Sequence, residues 1–535
     1  MFSRAALIGS LMIGLGIGPG AAAQIESDSM DDLGAWGQRY LSSNETEFPT
    51  TLWRNSNDEY LLSLLQSVRT AELGPAERGL LRRIILSPAT PPRGERAEDL
   101  LAQRARLMLE LGEARAAAAL VPQLQQAAPG LDAETLAVDL DLASGQEASA
   151  CAALNGAGRD GEYWLKLRAV CAVLRDNFSG AQLAVEVASA QGVDDPWLIE
   201  AIFAAAGDTP NPPGAKFDSG LNIALSAKAI LDTNRVTLAL DRPDLAAAAA
   251  RRPGVPSELR ARFAEIASDN ELITPEDRRD VLLSLLDDEE YVPGSAIEQT
   301  FQTLIDPLTS DQVRAEQLSS VLKDGGTKSL NQYRSTARLF LPDLQALPKS
   351  FDTASFALDF AQAAMVAGDR EAAMDWLSAL AIEGVEQPDP YAIALLEAAD
   401  IIVGGEASRP SLLAIEKRLV SSVDSPAREA QTARIFAIWT GFGVPLSPIA
   451  RDFVAGVSDQ GERIAQGQIT GLKGARVDNA IGETALRVLT STNGEAGRLA
   501  ASDLAVLLDT LIALDAEDVA RDLALETTQF WKAVE

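Results

Sequence analysis

This sequence predicts an all-α fold of stacked helical hairpins, and three observations carry the prediction. Apolar and small residues recur at i, i+3, i+4 and i+7 through most of the chain, while alternating runs bounded by hairpin turns are scarce. Helix starts are marked at Asp195-Pro196, Thr274-Pro275, Asp389-Pro390, Ser425-Pro426 and Ser447-Pro448. Each sets a capping oxygen before a proline whose missing N–H costs nothing at the first helical position. Glycine-centred turns then punctuate the Ala-rich segments at nearly constant spacing.

In chain order, the first element reads as an export signal. Met1-Phe2-Ser3-Arg4 carries one positive charge ahead of an apolar run from Ala5 to Ile17, followed by Pro19, Gly20 and Ala21-Ala22-Ala23. The run is too short and too Gly-rich for a membrane span, and Ala21 and Ala23 fit an A-x-A cleavage site between Ala23 and Gln24. Residues 1–23 are expected to be a signal peptide. The mature chain, with no later apolar stretch of spanning length, is expected to be soluble in the periplasm. That compartment is oxidising, and the chain's two cysteines, Cys151 and Cys171, lie 20 residues apart on neighbouring helices. A disulfide is expected; the alternative is two buried thiols.

Residues 24–95 read as an N-terminal helical cap, closed by the proline-rich stretch 88–94. In 96–210 the helical hairpins begin. Leu107-Met108-Leu109-Glu110-Leu111-Gly112-Glu113, then Ala116, Ala117 and Leu120, spell helix, tight turn, and helix with small residues inward. Equivalent turns follow at Gly145, Asn177 and Gly207, successively 33, 32 and 30 residues on, inside the period range of helical-hairpin solenoids. Thr209-Pro210-Asn211-Pro212-Pro213-Gly214 separates a middle helical region, 211–350. Here the acidic run Asp287-Asp288-Glu289-Glu290 is expected in a solvated loop, since a helix C-terminus disfavours negative charge. Helical repeats return in 351–535, where Gly368-Asp369 leads to Ala372, Ala373 and Trp376, and Gly467, Gly471 and Gly474 are read as a flexible turn. The competing architecture is a non-repetitive helical bundle with coincident turns.

With small residues at helix crossings, a Gly-Asp/Glu turn and a period near 34, residues 96–210 and 352–403 resemble tetratricopeptide-type repeats. The Trp-x-x-Leu-Gly-x-x-Tyr signature of that family is missing. The resemblance implies a TPR-like α-solenoid wound as a right-handed superhelix. Leu52-Trp53-Arg54, Leu80-Leu81-Arg82-Arg83 and Tyr163-Trp164-Leu165-Lys166-Leu167 are also similar to a group of exported helical proteins lacking an assigned function, which implies architecture and compartment only.

Composition narrows the chemistry. A chain without histidine has no imidazole base or zinc ligand, and two cysteines cannot build a Cys-based structural zinc site. With 46 Lys+Arg against 77 Asp+Glu, the net charge of −31 repels nucleic acid and anionic lipid. Gly325-Gly326-Thr327-Lys328-Ser329 lacks the glycine directly before lysine that a phosphate loop requires. Ser320-Val321-Leu322-Lys323 and Ser268-Asp269-Asn270 occur in the reverse of the penicillin-binding order and lack its K-T-G strand. No catalytic residue, cofactor site or metal ligand is nominated, and no cofactor is expected. The seven tryptophans, dispersed in apolar contexts, read as core, with one or two as groove anchors in the alternative.

Stacked hairpins curve into extended surfaces that hold other polypeptides. The expected function is accordingly a scaffold or adaptor binding protein partners in an envelope assembly, such as a motility, secretion or cell-wall complex. The alternatives are a carboxylate-based glycan-processing enzyme, which an aromatic content of 5% disfavours, and a peptide- or solute-binding protein. Acidity favours basic partner surfaces under each reading.

Overall fold

The computed structural model describes residues 34–532 except 44, 127–128, 157, 208, 239–241, 288–290 and 459–460. Ala23, Gln24 and the rest of the segment expected to be a signal peptide lie outside the described residues, as does the acidic run beyond Asp287. The described chain is mostly helical, with 27 α-helices and one two-stranded sheet. None of these helices is long and apolar enough to cross a membrane.

Helix ends follow from local chemistry. At all five marked starts the capping oxygen accepts a backbone N–H of the first turn: Asp195 from Leu198 at 3.1 Å, Thr274 from Asp277 at 3.1 Å and Asp389 from Tyr391 at 2.9 Å. Ser425 accepts from Arg428 and Ser447 from Ala450, both at 3.4 Å. Several helices end alike. Gly112, Gly145 and Gly368 adopt φ of 84°, 79° and 94°, a left-handed conformation open to glycine at little cost. The following residue then donates its N–H back to the last turn: Glu113 to the Met108 carbonyl at 2.7 Å, Gln146 to Asp141 at 2.7 Å and Asp369 to Ala364 at 2.9 Å. Gly207 has the same backbone sign, with φ 79°. In the remaining unit the left-handed residue is Asp176, φ 57°, and Asn177 starts the next helix by accepting the Gly180 N–H at 3.0 Å. Short Asx side chains tolerate this region, which shifts the turn by one residue from the glycine pattern.

Sequence neighbours pack as hairpin mates. Ala97–Glu110 meets Ala114–Leu120, Glu162–Leu174 meets Phe178–Ala190, Pro243–Arg251 meets Ser257–Asp269, and Ala357–Ala367 meets Arg370–Ala379. Fully buried alanines at the crossings, among them Ala105, Ala117, Ala169, Ala181, Ala249, Ala264, Ala361 and Ala373, let the backbones approach closely. A disulfide joins Cys151, on Glu147–Ala152, to Cys171, on Glu162–Leu174.

The two ends of the described chain also meet. Helix Pro75–Leu86 packs against Ala97–Glu110 and against two helices near the carboxyl end, Ile481–Thr492 and Glu517–Thr528. Its surroundings bury Leu80, Leu81, Ile84, Ile85 and Leu86 together with the charged Glu77, Arg78 and Arg83, as expected of a helix enclosed on most sides. Gly482 donates its N–H to the Leu52 carbonyl at 2.8 Å, and a side chain there would run into the Trp53 ring.

Two features depart from the sequence reading. Gly467, Gly471 and Gly474, expected as a flexible turn, lie inside helix Gln466–Val477, which packs on Ile481–Thr492. At i, i+4 and i+7 they share one helix face, and at Gly471 that face approaches the Arg487 guanidinium too closely for a side chain. The second is a small parallel sheet. Strand β1 (Gly214–Phe217) pairs with β2 (Asp232–Leu238), with Gly214 opposite Asp232 and Phe217 opposite Leu238, and helix Gly220–Lys228 crosses between them. Phe217 seats its ring 4.6 Å from that of Phe263. A four-residue strand joined by a helix carries neither a period nor a hairpin turn to announce it.

Candidate functional site: a charged cleft beside the first hairpins

A cleft of about 950 Å3 opens among helices Ala133–Ala143, Glu162–Leu174 and Gly220–Lys228. Its apolar lining includes Val121, Leu124, Leu131, Leu136 and Leu221. Over this surface stand four carboxylates, Asp132, Asp139, Glu162 and Asp195, and two cations, Lys166 and Arg242.

Each charged group is held by its own element. Asp132 caps Ala133–Ala143, accepting the Glu134 N–H at 2.9 Å. Two turns along that helix, Asp139 reaches the start of Gly220–Lys228 and accepts the N–H groups of Gly220 at 2.8 Å and Leu221 at 3.2 Å. A carboxylate at a helix N-terminus satisfies orphan donors and meets the positive end of the dipole. The approach is so close that any side chain at position 220 would overlap the Asp139 carbonyl, which explains the glycine. Burial pushes the Asp139 carboxyl above its ordinary range, against the pull of these N–H groups and the Arg242 guanidinium.

Tyr163 places its hydroxyl 3.5 Å from Asp139 Oδ1. Burial raises its pKa, and the Asp139 charge raises it further, so the phenol stays protonated. One turn on, Lys166 Nζ sits 2.8 Å from Glu162 Oε1 and 2.9 Å from Asp195 Oδ2. Burial opposes the ammonium, but these two carboxylates outweigh it and hold the lysine pKa above its ordinary value. Arg242 is engaged by Asp244 through paired bonds of 2.8 and 2.7 Å. Cys171 lies on the helix that carries Tyr163 and Lys166, so the disulfide ties this wall of the cleft to the preceding hairpin.

The arrangement suits binding. Its carboxylates outnumber its cations, its lysine is a doubly paired ammonium, and its apolar floor accepts the aliphatic part of a ligand. Among the described residues, no group of three His, Cys, Asp or Glu could hold a metal ion.

Sequence reasoning nominated none of the cleft residues for chemistry. Asp195 is legible as a helix cap, and Tyr163 and Lys166 lie in a segment whose resemblance implies architecture only; Asp132 and Asp139 carry no signal in the sequence. The turn residues Gly112, Gly145, Asn177, Gly207 and Gly368 lie outside the cleft lining. Lys323 pairs with Asp359 at 2.9 Å, whereas Asp269 accepts a hydrogen bond from Ser335, and the two line different cavities. Gly325 and Gly326 belong to the last turn of helix Asp311–Thr327, packed beside Tyr333. Compared with protein-family models, curated proteins and solved structures, the chain matches none of them.

Proposed function

We propose that this chain is an exported scaffold of the TPR-like α-solenoid type, which holds a protein partner of an envelope assembly in the periplasm by gripping a basic segment in the charged cleft. The observation that carries this reading is the cleft itself: four carboxylates facing two cations over an apolar floor, built where successive helical hairpins pack together. A lysine- or arginine-bearing segment would lay its aliphatic stem on Leu136 and Leu221 and its charge against Asp132, while Glu162 and Asp195, which share the single Lys166 ammonium, add negative potential. Export rests on the signal in residues 1–23, and the Cys151–Cys171 disulfide is in keeping with an oxidising compartment.

The test is photo-crosslinking in cells from Asn222, which lines the cleft, in tagged protein expressed at its native level, with mass spectrometry of the adducts. One reproducible protein partner, linked through a basic segment and lost on Asp132→Ala with Asp195→Ala, supports the reading. Binding to that partner should weaken as salt rises. Adducts only to other copies of the chain, or none, would sink it.

A further inference from the structure

A second cavity, of about 620 Å3, is lined by parts of helices Asp311–Thr327, Leu330–Ala346, Ala357–Ala367 and Pro390–Ile402 and by residues 530–532. In a chain with few aromatic residues, four converge here: Tyr333, Tyr391, Phe530 and Trp531. The Tyr333 and Trp531 rings lie 5.9 Å apart and 33° from parallel, and Phe530 meets Trp531 edge-on at 5.3 Å. Trp531 is half-buried, which leaves part of its indole open.

Most charged groups on the same walls are ion-paired, Arg428 with Asp424 as well as with Asp389. Lys323 sits 2.9 Å from Asp359, and Arg428 sits 2.5 Å from Asp389 while its guanidinium covers the Tyr391 ring. The remaining charge, Lys532, is exposed to solvent. Two donors are left over. The Tyr333 side chain is 4% exposed overall, and among the described residues neither its hydroxyl nor the Trp531 indole N–H makes a hydrogen bond. Neither atom is shut off from solvent, so both donors are free to meet a ligand that enters the cavity. Burial, with the nearby Asp359 charge, keeps the Tyr333 phenol protonated and able to donate.

We infer that this cavity binds a neutral oligosaccharide, with one sugar ring against Trp531 and its hydroxyls bonded to Tyr333 and to the Lys323–Asp359 and Arg428–Asp389 pairs. A pyranose offers apolar C–H faces that match the negative face of an indole, and around its edge hydroxyls that both donate and accept. Ion-paired side chains supply strong donors and acceptors without demanding a counter-charge from the ligand. The cavity volume falls within the roughly 300–1,000 Å3 of small-ligand sites. The inference stands apart from the scaffold reading, since it uses different helices and a different ligand chemistry.

Calorimetric titration of the full chain with cellotriose, maltotriose and triacetylchitotriose tests it. Saturable binding of at least one is expected, weakened about tenfold or more by Trp531→Ala and measurably by Tyr333→Phe, which deletes only the hydroxyl and leaves the packing in place. Absence of binding by all three at up to about 10 mM overturns the inference. So does binding that both variants retain at wild-type strength, or a stronger response to an acidic trisaccharide such as trigalacturonate.

Discussion

Glu526, on the last helix of the described chain, accepts the backbone N–H of Ala76 at 2.8 Å, in the first turn of helix Pro75–Leu86. Glu77 sits at the same helix end, accepting the N–H groups of Gly74 at 2.9 Å and Gly494 at 3.0 Å. Two carboxylates therefore share one helix N-terminus, and through them the amino-terminal helices are fastened to the carboxyl-terminal ones. The helix dipole and four unsatisfied N–H groups make that end the natural seat for negative charge, but not for two buried charges at once.

Stability should accordingly fall with rising pH in this region. Burial, reinforced by Glu77 and Asp522 and opposed by Arg334 and the Ala76 N–H, pushes the Glu526 carboxyl from an ordinary 4.5 up to about 8. The folded state keeps this proton to about pH 8, while the unfolded chain releases it near 4.5. The stabilising contribution is complete below about pH 4.5 and is lost as pH climbs through about 8. Glu526→Gln carries no such proton, so its stability advantage over the wild type should widen between those limits by up to a few kcal/mol, on the order of magnitude that linkage allows. Parallel urea melts of both proteins at pH 5 and pH 8.5 would refute this if the gap stayed constant.

Closing the chain on itself predicts where protection lies. Pro75–Leu86 is near the amino end, yet it is packed against Ile481–Thr492 and Glu517–Thr528. Its amides should exchange with solvent only as fast as global unfolding permits. Exchange of Leu81 to Leu86 at the rate of a frayed terminal helix would show that the two ends do not hold each other in solution.

Replacing both Cys151 and Cys171 by serine should cost about 3 kcal/mol, the loop-entropy value for a closure of this size. Chemical denaturation under oxidising and reducing conditions gives the comparison. Equal midpoints for the double variant and the oxidised wild type would show that the bond contributes nothing.

Two glycines separate steric need from backbone need. Gly368 has φ 94° with nothing near a prospective side chain, so Gly368→Ala should cost about 1 kcal/mol through the left-handed backbone alone. Gly220 has an ordinary backbone sign but lies against the Asp139 carbonyl, so Gly220→Ala must push helix Gly220–Lys228 off the cleft wall. A loss of about 3 kcal/mol or more is expected there. Similar costs for the two substitutions would contradict the close approach of Asp139.

What was legible in the sequence was local. Helical period, the caps at Thr274 and Ser425, the glycine turns at 112 and 145 and the proximity of two cysteines all depend on residues a few positions apart. The backbone hydrogen bonds that end a helix are made within about six residues. Even there, a choice between near-equal neighbours such as Asp176 and Asn177 depended on the fold around them. The glycines of Gln466–Val477 read as a turn because helix propensity disfavours them, until packing against Ile481–Thr492 outweighs that preference.

The sequence by itself thus determined that this chain forms short, capped helices joined by tight turns. The tertiary structure decided which of them meet. Asp139 and Gly220 are 81 residues apart, Ala76 and Glu526 are 450 apart, and the aromatic wall draws Tyr333 and Trp531 from separate helical regions. The reason is energetic: an alanine-rich stripe fits many partner stripes about equally well, and only apolar burial summed over the whole chain selects among them.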